Sequence, residues 1–159
     1  WLSGSMAREL DMAPDALHFD YSEDTLSSAF NVTAAQSKEI SALLTLIQTL
    51  KVQVTAITPD ASALQRFIPF LPEHHQCLVW RDDAQWLWAT RSAWGRKSTG
   101  DISCIEELAT TLSLPTTAIA QCSPGGFDPL SAVFVRQPPI PTQSHHFAIA
   151  LGLAMGGVY

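Results

Sequence analysis

The chain has 159 residues, enough for one ordinary domain or two very small ones, and at this length apolar burial alone can support folding. Hydrophobic residues make up 47% and charged residues 15%, against roughly a quarter charged in an ordinary soluble domain, so the chain either packs very fully or keeps an apolar face for a partner. Nine basic against fifteen acidic residues give a net charge of −6, the wrong sign for neutralising DNA phosphates, and the longest apolar run, Phe147 to Val158, falls short of the roughly 20 residues a bilayer crossing needs.

Trp1-Leu2-Ser3-Gly4 has no initiator Met, basic region or apolar region of a signal peptide, and reads as a cut inside a longer protein. Leu2, Met6 and Leu10 at spacing four predict the back half of an amphipathic helix. After a turn at Pro14-Asp15, Leu17–Tyr21 and Phe30–Ala34 predict an antiparallel strand pair joined by a loop rich in Ser and Asp. From Gln36 to Leu50, Ile40, Leu43, Leu44, Ile47 and Leu50 recur at three and four and predict a helix of about four turns. Lys51–Ile57 alternates with β-branched residues and predicts a strand. Thr58-Pro59-Asp60 opens a helix to about Phe67, which Pro69 and Pro72 close.

In the second half, Gln76–Trp80, a turn at Arg81–Ala84, and Gln85–Arg91 predict a β-hairpin. A helix is predicted near Ile102–Leu112 with Asp101 as N-cap. Thr117–Cys122 predicts a buried strand, Ser123–Gly126 a turn and Ala132–Val135 a further strand. Pro138–Pro141 is extended and rigid. His145–Met155 predicts a helix of small residues able to approach a neighbouring backbone closely, ending at Gly156-Gly157.

Cys77, Cys104 and Cys122 are odd in number and widely spaced, which suits a reducing compartment and reads as small buried hydrophobes rather than a disulfide framework or zinc site. His74-His75 and His145-His146 lack the i, i+4 spacing with Glu that sets two metal ligands on one helical face, and read as surface or capping residues. No nucleophile elbow, phosphate loop or dinucleotide fingerprint is present. Asp82-Asp83 read as a solvated turn rather than an acid–base pair. Trp80, Trp86, Trp88 and Trp94 fall within fifteen residues; they pack a core or, if exposed, form a protein-binding hot spot. The Asn31-Val32-Thr33 sequon carries no weight in a chain that does not look secreted.

Taken in order, Val32–Lys38, Val54–Leu64 and Phe147–Ala154 resemble the strand-to-helix passage, the crossover into the second domain and the closing helix of the PilM family, actin-like proteins of type IV pilus and DNA-uptake machines. The resemblance implies an α/β (α+β) actin-like fragment: residues 1–58 as a small inserted α-β-β-α-β subdomain and 59–159 as a reduced second actin-like domain, with the first subdomain upstream. It implies a non-enzymatic cytoplasmic adaptor, peripheral at the bacterial inner membrane, that grips the tail of a PilN- or HofN-like membrane protein and touches no nucleic acid directly. Where the family carries an Asp-x-Gly phosphate turn, this chain has Trp80-Arg81-Asp82-Asp83, with no glycine. The adenosine-side turn survives only as Gly125-Gly126, which reads equally as a plain turn. No cofactor is therefore expected, ATP being conceivable only for the full-length protein as a nucleotide-responsive switch. Without the first subdomain, the apolar surface it covers is expected to drive dimerisation of the fragment.

Overall fold

The structure, a computed structural model, describes residues 2–23 and 30–156. Among these residues it shows a mixed α/β chain with two sheets, dividing into two compact units, Trp1–Ala56 and Ile57–Tyr159.

The first unit holds helix α1 (Leu2–Glu9), strands β1 (Leu17–Glu23) and β2 (Phe30–Gln36), and helix α2 (Ser37–Leu50). The strands pair antiparallel from Leu17↔Gln36 to Glu23↔Phe30, which puts Leu17, Phe19 and Tyr21 on one face with Phe30, Val32 and Ala34. Tyr21 and Phe30, diagonal neighbours on that face, meet edge to face at 6.1 Å. The predicted Ser- and Asp-rich connection falls largely on residues 24–29, outside the described residues. Lys51 ends α2 in the left-handed region (φ 53°), where its N–H donates to the Gln48 carbonyl (3.2 Å) and the Val52 N–H to the Ile47 carbonyl (3.4 Å).

The second unit is a four-stranded sheet in the order β5-β4-β3-β6, formed by β3 (Cys77–Arg81), β4 (Gln85–Ala89), β5 (Trp94–Ser98) and β6 (Ile119–Cys122). β3 runs antiparallel to β4 and parallel to β6. Because strand side chains alternate, Leu78, Leu87, Ala89 and Ala120 face one core with Leu64, Phe67 and Ala148, while Cys77, Val79, Trp86 and Ile119 face another with Ile102 and Leu108. Helix α4 (Ile105–Thr111) covers the second core; α3 (Asp60–Ala63), the 3-10 turns of Leu64–Phe70 and α5 (Ala148–Met155) cover the first. Gly152 makes the α5 approach possible, since a Cβ there would stand 2.4 Å from the Ala63 carbonyl oxygen. Trp80 Nε1 donates to the His145 carbonyl (2.9 Å) and Trp86 Nε1 to that of Ile102 (2.9 Å), so two indoles tie the sheet to both layers.

Several expectations are corrected. Residues 51–57 form no strand; they are exposed and, among the described residues, no neighbouring strand offers them a ladder, which β-branched residues alone do not replace. The first unit is therefore α-β-β-α. Residues 133–135 form no strand either: a 3-10 turn occupies Pro129–Ala132, capped by the Asp128 carboxylate on the Leu130 N–H (2.9 Å), and the segment leaves the sheet. The helix opening at Asp60 is α for only four residues before tightening to 3-10 through Pro69. Helix α4 starts three residues later than predicted, with Cys104 rather than Asp101 at the N-cap position and the Glu107 carboxylate accepting from Ser103 N–H and Oγ. β5 is a strand although Trp-Gly-Arg-Lys-Ser lacks alternation; Gly95 sits opposite Trp88, whose indole fills the space a Cβ would need.

Two outcomes test this packing. Gly152→Ala should cost about 1–3 kcal/mol of stability by overpacking, whereas Gly4→Ala in α1, with nothing within 4 Å of the added methyl, should be neutral or gain up to about 1 kcal/mol; denaturant titrations giving equal losses would contradict the α5 contact. Burial pushes the Cys77 thiol up to about 11, and burial, then the Asp128 charge, pushes Cys122 up to about 12. A pKa raised on folding favours the neutral thiol, so this contribution is intact below the ordinary thiol range and is lost as pH climbs toward those values. Half-buried Cys104 should therefore react first with a thiol reagent at mildly alkaline pH; uniform rates for all three in the native chain would refute that ordering.

Candidate functional site

The Arg81–Ala84 turn lies where the resemblance puts a phosphate contact, and its amides are already engaged. Asp82 Oδ1 accepts from the N–H groups of Ala84 (2.8 Å) and Gln85 (2.7 Å). An arriving phosphate would have to displace a carboxylate of the same charge from the same donors. Arg81 turns away from the turn, its guanidinium lying 4.8 Å from the centre of the Trp86 ring. Asp83 is held apart, its carbonyl accepting from Thr99 Oγ1 (2.8 Å). The sequence showed the missing glycine; the aspartate acting as an internal anion was not foreseen, although Asp at the first position of a turn is its known signal.

Gly125 and Gly126 follow β6. Gly125 has φ +79°, and a Cβ on Gly126 would lie 2.2 Å from the Gln121 carbonyl oxygen, so both glycines are required by the turn itself. The Gly126 N–H is spent on the Ser123 carbonyl (2.9 Å) and that of Phe127 on the Gln121 carbonyl (2.9 Å). The pair borders a cleft of about 460 Å³ lined also by Phe70, His75, Gln121 and Asp128. Among the described residues neither Lys nor Arg lines it, and desolvation, then the neighbouring His74, lowers the pKa of His75. These residues do not fit a nucleotide's phosphates.

The other sequence candidates are dispersed. Trp86 is buried, and Trp80, Trp88 and Trp94 are half-buried against the two cores, so the aromatic cluster is packing rather than an exposed hot spot. Each histidine pair stacks on itself, with ring centres 4.0 and 4.2 Å apart. Among the described residues, no cluster of three or more His, Cys, Asp or Glu converges on a point. No described helix is long and apolar enough to cross a membrane.

What stands out is exposed apolar surface. On α2, Ile40 and Ile47 are half-buried, while Leu43, Leu44, Leu46 and Leu50 are 43%, 47%, 54% and 61% exposed. The predicted stripe is thus real, yet only its inner edge is packed. Leu43, Leu46 and Leu50, at i, i+3 and i+7, form a second flank with the spacing of helix-in-groove anchors. In the second unit, Phe134 and Val135 are 90% and 79% exposed.

No protein-family model matches the chain. Over all 159 of its residues it is 65% identical to "DNA utilization protein HofM" of Escherichia coli (strain K12), and it spans 61% of that protein's length. With that identity along its whole length, the chain is a homologue of DNA utilization protein HofM over the part of that protein it spans.

Proposed function

We propose that the chain is a non-catalytic cytoplasmic adaptor of a type IV pilus-like, DNA-utilization assembly, binding the cytoplasmic tail of a PilN- or HofN-like inner-membrane protein. The observation that carries this reading is the 65% identity, across the whole chain, to a protein named for DNA utilization. In this reading residues 1–58 are the inserted subdomain and 59–159 the reduced second actin-like domain of a longer protein. The physical support is twofold. Cytoplasmic segments beside a membrane span are enriched in Lys and Arg, and a chain of net charge −6 is their electrostatic complement. The exposed flank of α2 offers the apolar anchors that charge alone lacks.

Calorimetric titration with a synthetic tail peptide of the partner tests this directly. Saturable binding should weaken as salt is raised, because exposed charges are screened over roughly 8–10 Å at physiological ionic strength. Leu46→Asp, at a position already exposed in the free chain, should weaken it at least about tenfold, the cost of one interface anchor. A folded chain that shows no saturation at low salt would sink the adaptor.

A second reading, the nucleotide-responsive switch, is favoured by one observation, the cleft beside Gly125 and Gly126, large enough for a nucleoside. A ligand that binds only the folded state raises its melting temperature by mass action. The committed amides and the absence of Lys and Arg lead us to expect no thermal shift with millimolar Mg-ATP, for this chain or the full-length protein; a dose-dependent rise would put the switch first.

A further inference from the structure

Among the described residues, the sheet of the second unit ends on β6, which pairs with β3 alone. Three consecutive residues of that strand, Ile119, Ala120 and Gln121, border the cleft described above. Neighbouring strand residues point to opposite faces, so three in a row can line one cavity only where the backbone itself forms its wall. The cleft therefore runs along the open edge of β6. Phe127 begins to cover that edge through its bond to the Gln121 carbonyl, and Asp128-Pro129 then lead the chain away. The opposite edge strand, β5, carries Arg96 and Lys97, the charges that discourage strand addition; Ile-Ala-Gln-Cys carries neither charge nor proline.

A few residues further on lies a segment suited to such an edge. Val133-Phe134-Val135-Arg136 is β-branched and aromatic, belongs to no ladder and holds the chain's most exposed large apolar side chains among the described residues. The two features adjoin: the Phe134 ring stands edge-on to Phe70 at 6.3 Å, and Phe70 lines the cleft.

We propose that a second copy of this chain covers the edge, residues 133–136 of each copy adding as a strand to β6 of the other. Because donor segment and acceptor edge share one face, a two-fold axis satisfies both at once and the assembly closes as a dimer rather than growing as a filament. Arg136 at the end of the segment and Asp128 at the cleft have opposite signs, which favours the exchange. The proposal is independent of the tail-binding function.

Light scattering over a concentration series of the 159-residue chain, paired with amide hydrogen exchange, tests it. The mass should rise from 17.3 kDa toward twice that value, with protection of residues 119–121 rising in step. Phe134→Asp and Val135→Pro, both at exposed positions, should keep the monomer mass at every concentration and an unchanged circular dichroism spectrum. A wild-type chain that stays monomeric, or a dimer that survives both substitutions, overturns the proposal. So does protection of 119–121 that appears only when the basic tail peptide is added, which would give the edge to that partner.

Discussion

The second unit depends on one strand being buried on both faces. Cys77, Leu78 and Val79 of β3 are wholly inaccessible, and such a strand is stable only if each face has its own cover. Leu78 turns toward α3 and α5, Cys77 and Val79 toward α4, so the continuous apolar run in the sequence becomes the partition between two cores. The demand for cover then propagates. Helix α5 can seat against α3 only because Gly152 has no side chain, and Trp80 ties β3 to the carbonyl just ahead of α5. Parallel pairing with β6 follows from the same layering, since the connection from β4 and β5 through α4 returns the chain to the far side of β3.

The same constraint separates what the sequence could reveal from what it could not. Runs that meet a partner were legible: the hairpin of β3 and β4, the β1–β2 pair, α2 and the buried β6 all follow from period and turn chemistry. Residues 51–57 and 133–135 have equally good strand propensity and are not strands. Propensity expresses fit to a half-buried pleated surface, and among the described residues no strand pairs with either segment. β5 shows the converse, a poor strand sequence recruited by its register against β4, where the Trp88 indole occupies the place of the side chain Gly95 lacks.

The site was less legible than the fold. The loss of glycine from the first turn was visible in Trp80-Arg81-Asp82-Asp83, but not that the Asp82 carboxylate would take the amides a phosphate needs. Gly125 and Gly126 could be read two ways; their geometry is fully accounted for by a positive φ and a close approach to the Gln121 carbonyl. The tryptophan cluster packs against the two cores. The exposed apolar surface lies elsewhere, at Phe134-Val135 and on the outer flank of α2, where a sequence pattern identifies an apolar stripe without saying how much of it is covered.

In the proposed reading the partner is held by the chain's surface, since the turns at 81–85 and 123–127 are filled by the chain's own groups while apolar residues of α2 remain partly in water. Amide hydrogen exchange, run with the partner's tail peptide and separately with Mg-ATP, measures this most directly. The account predicts slowed exchange along α2 on adding the peptide, and none at residues 81–85 or 123–127 on adding nucleotide. Protection confined to those two turns in the presence of Mg-ATP, with α2 unchanged by the peptide, would contradict it.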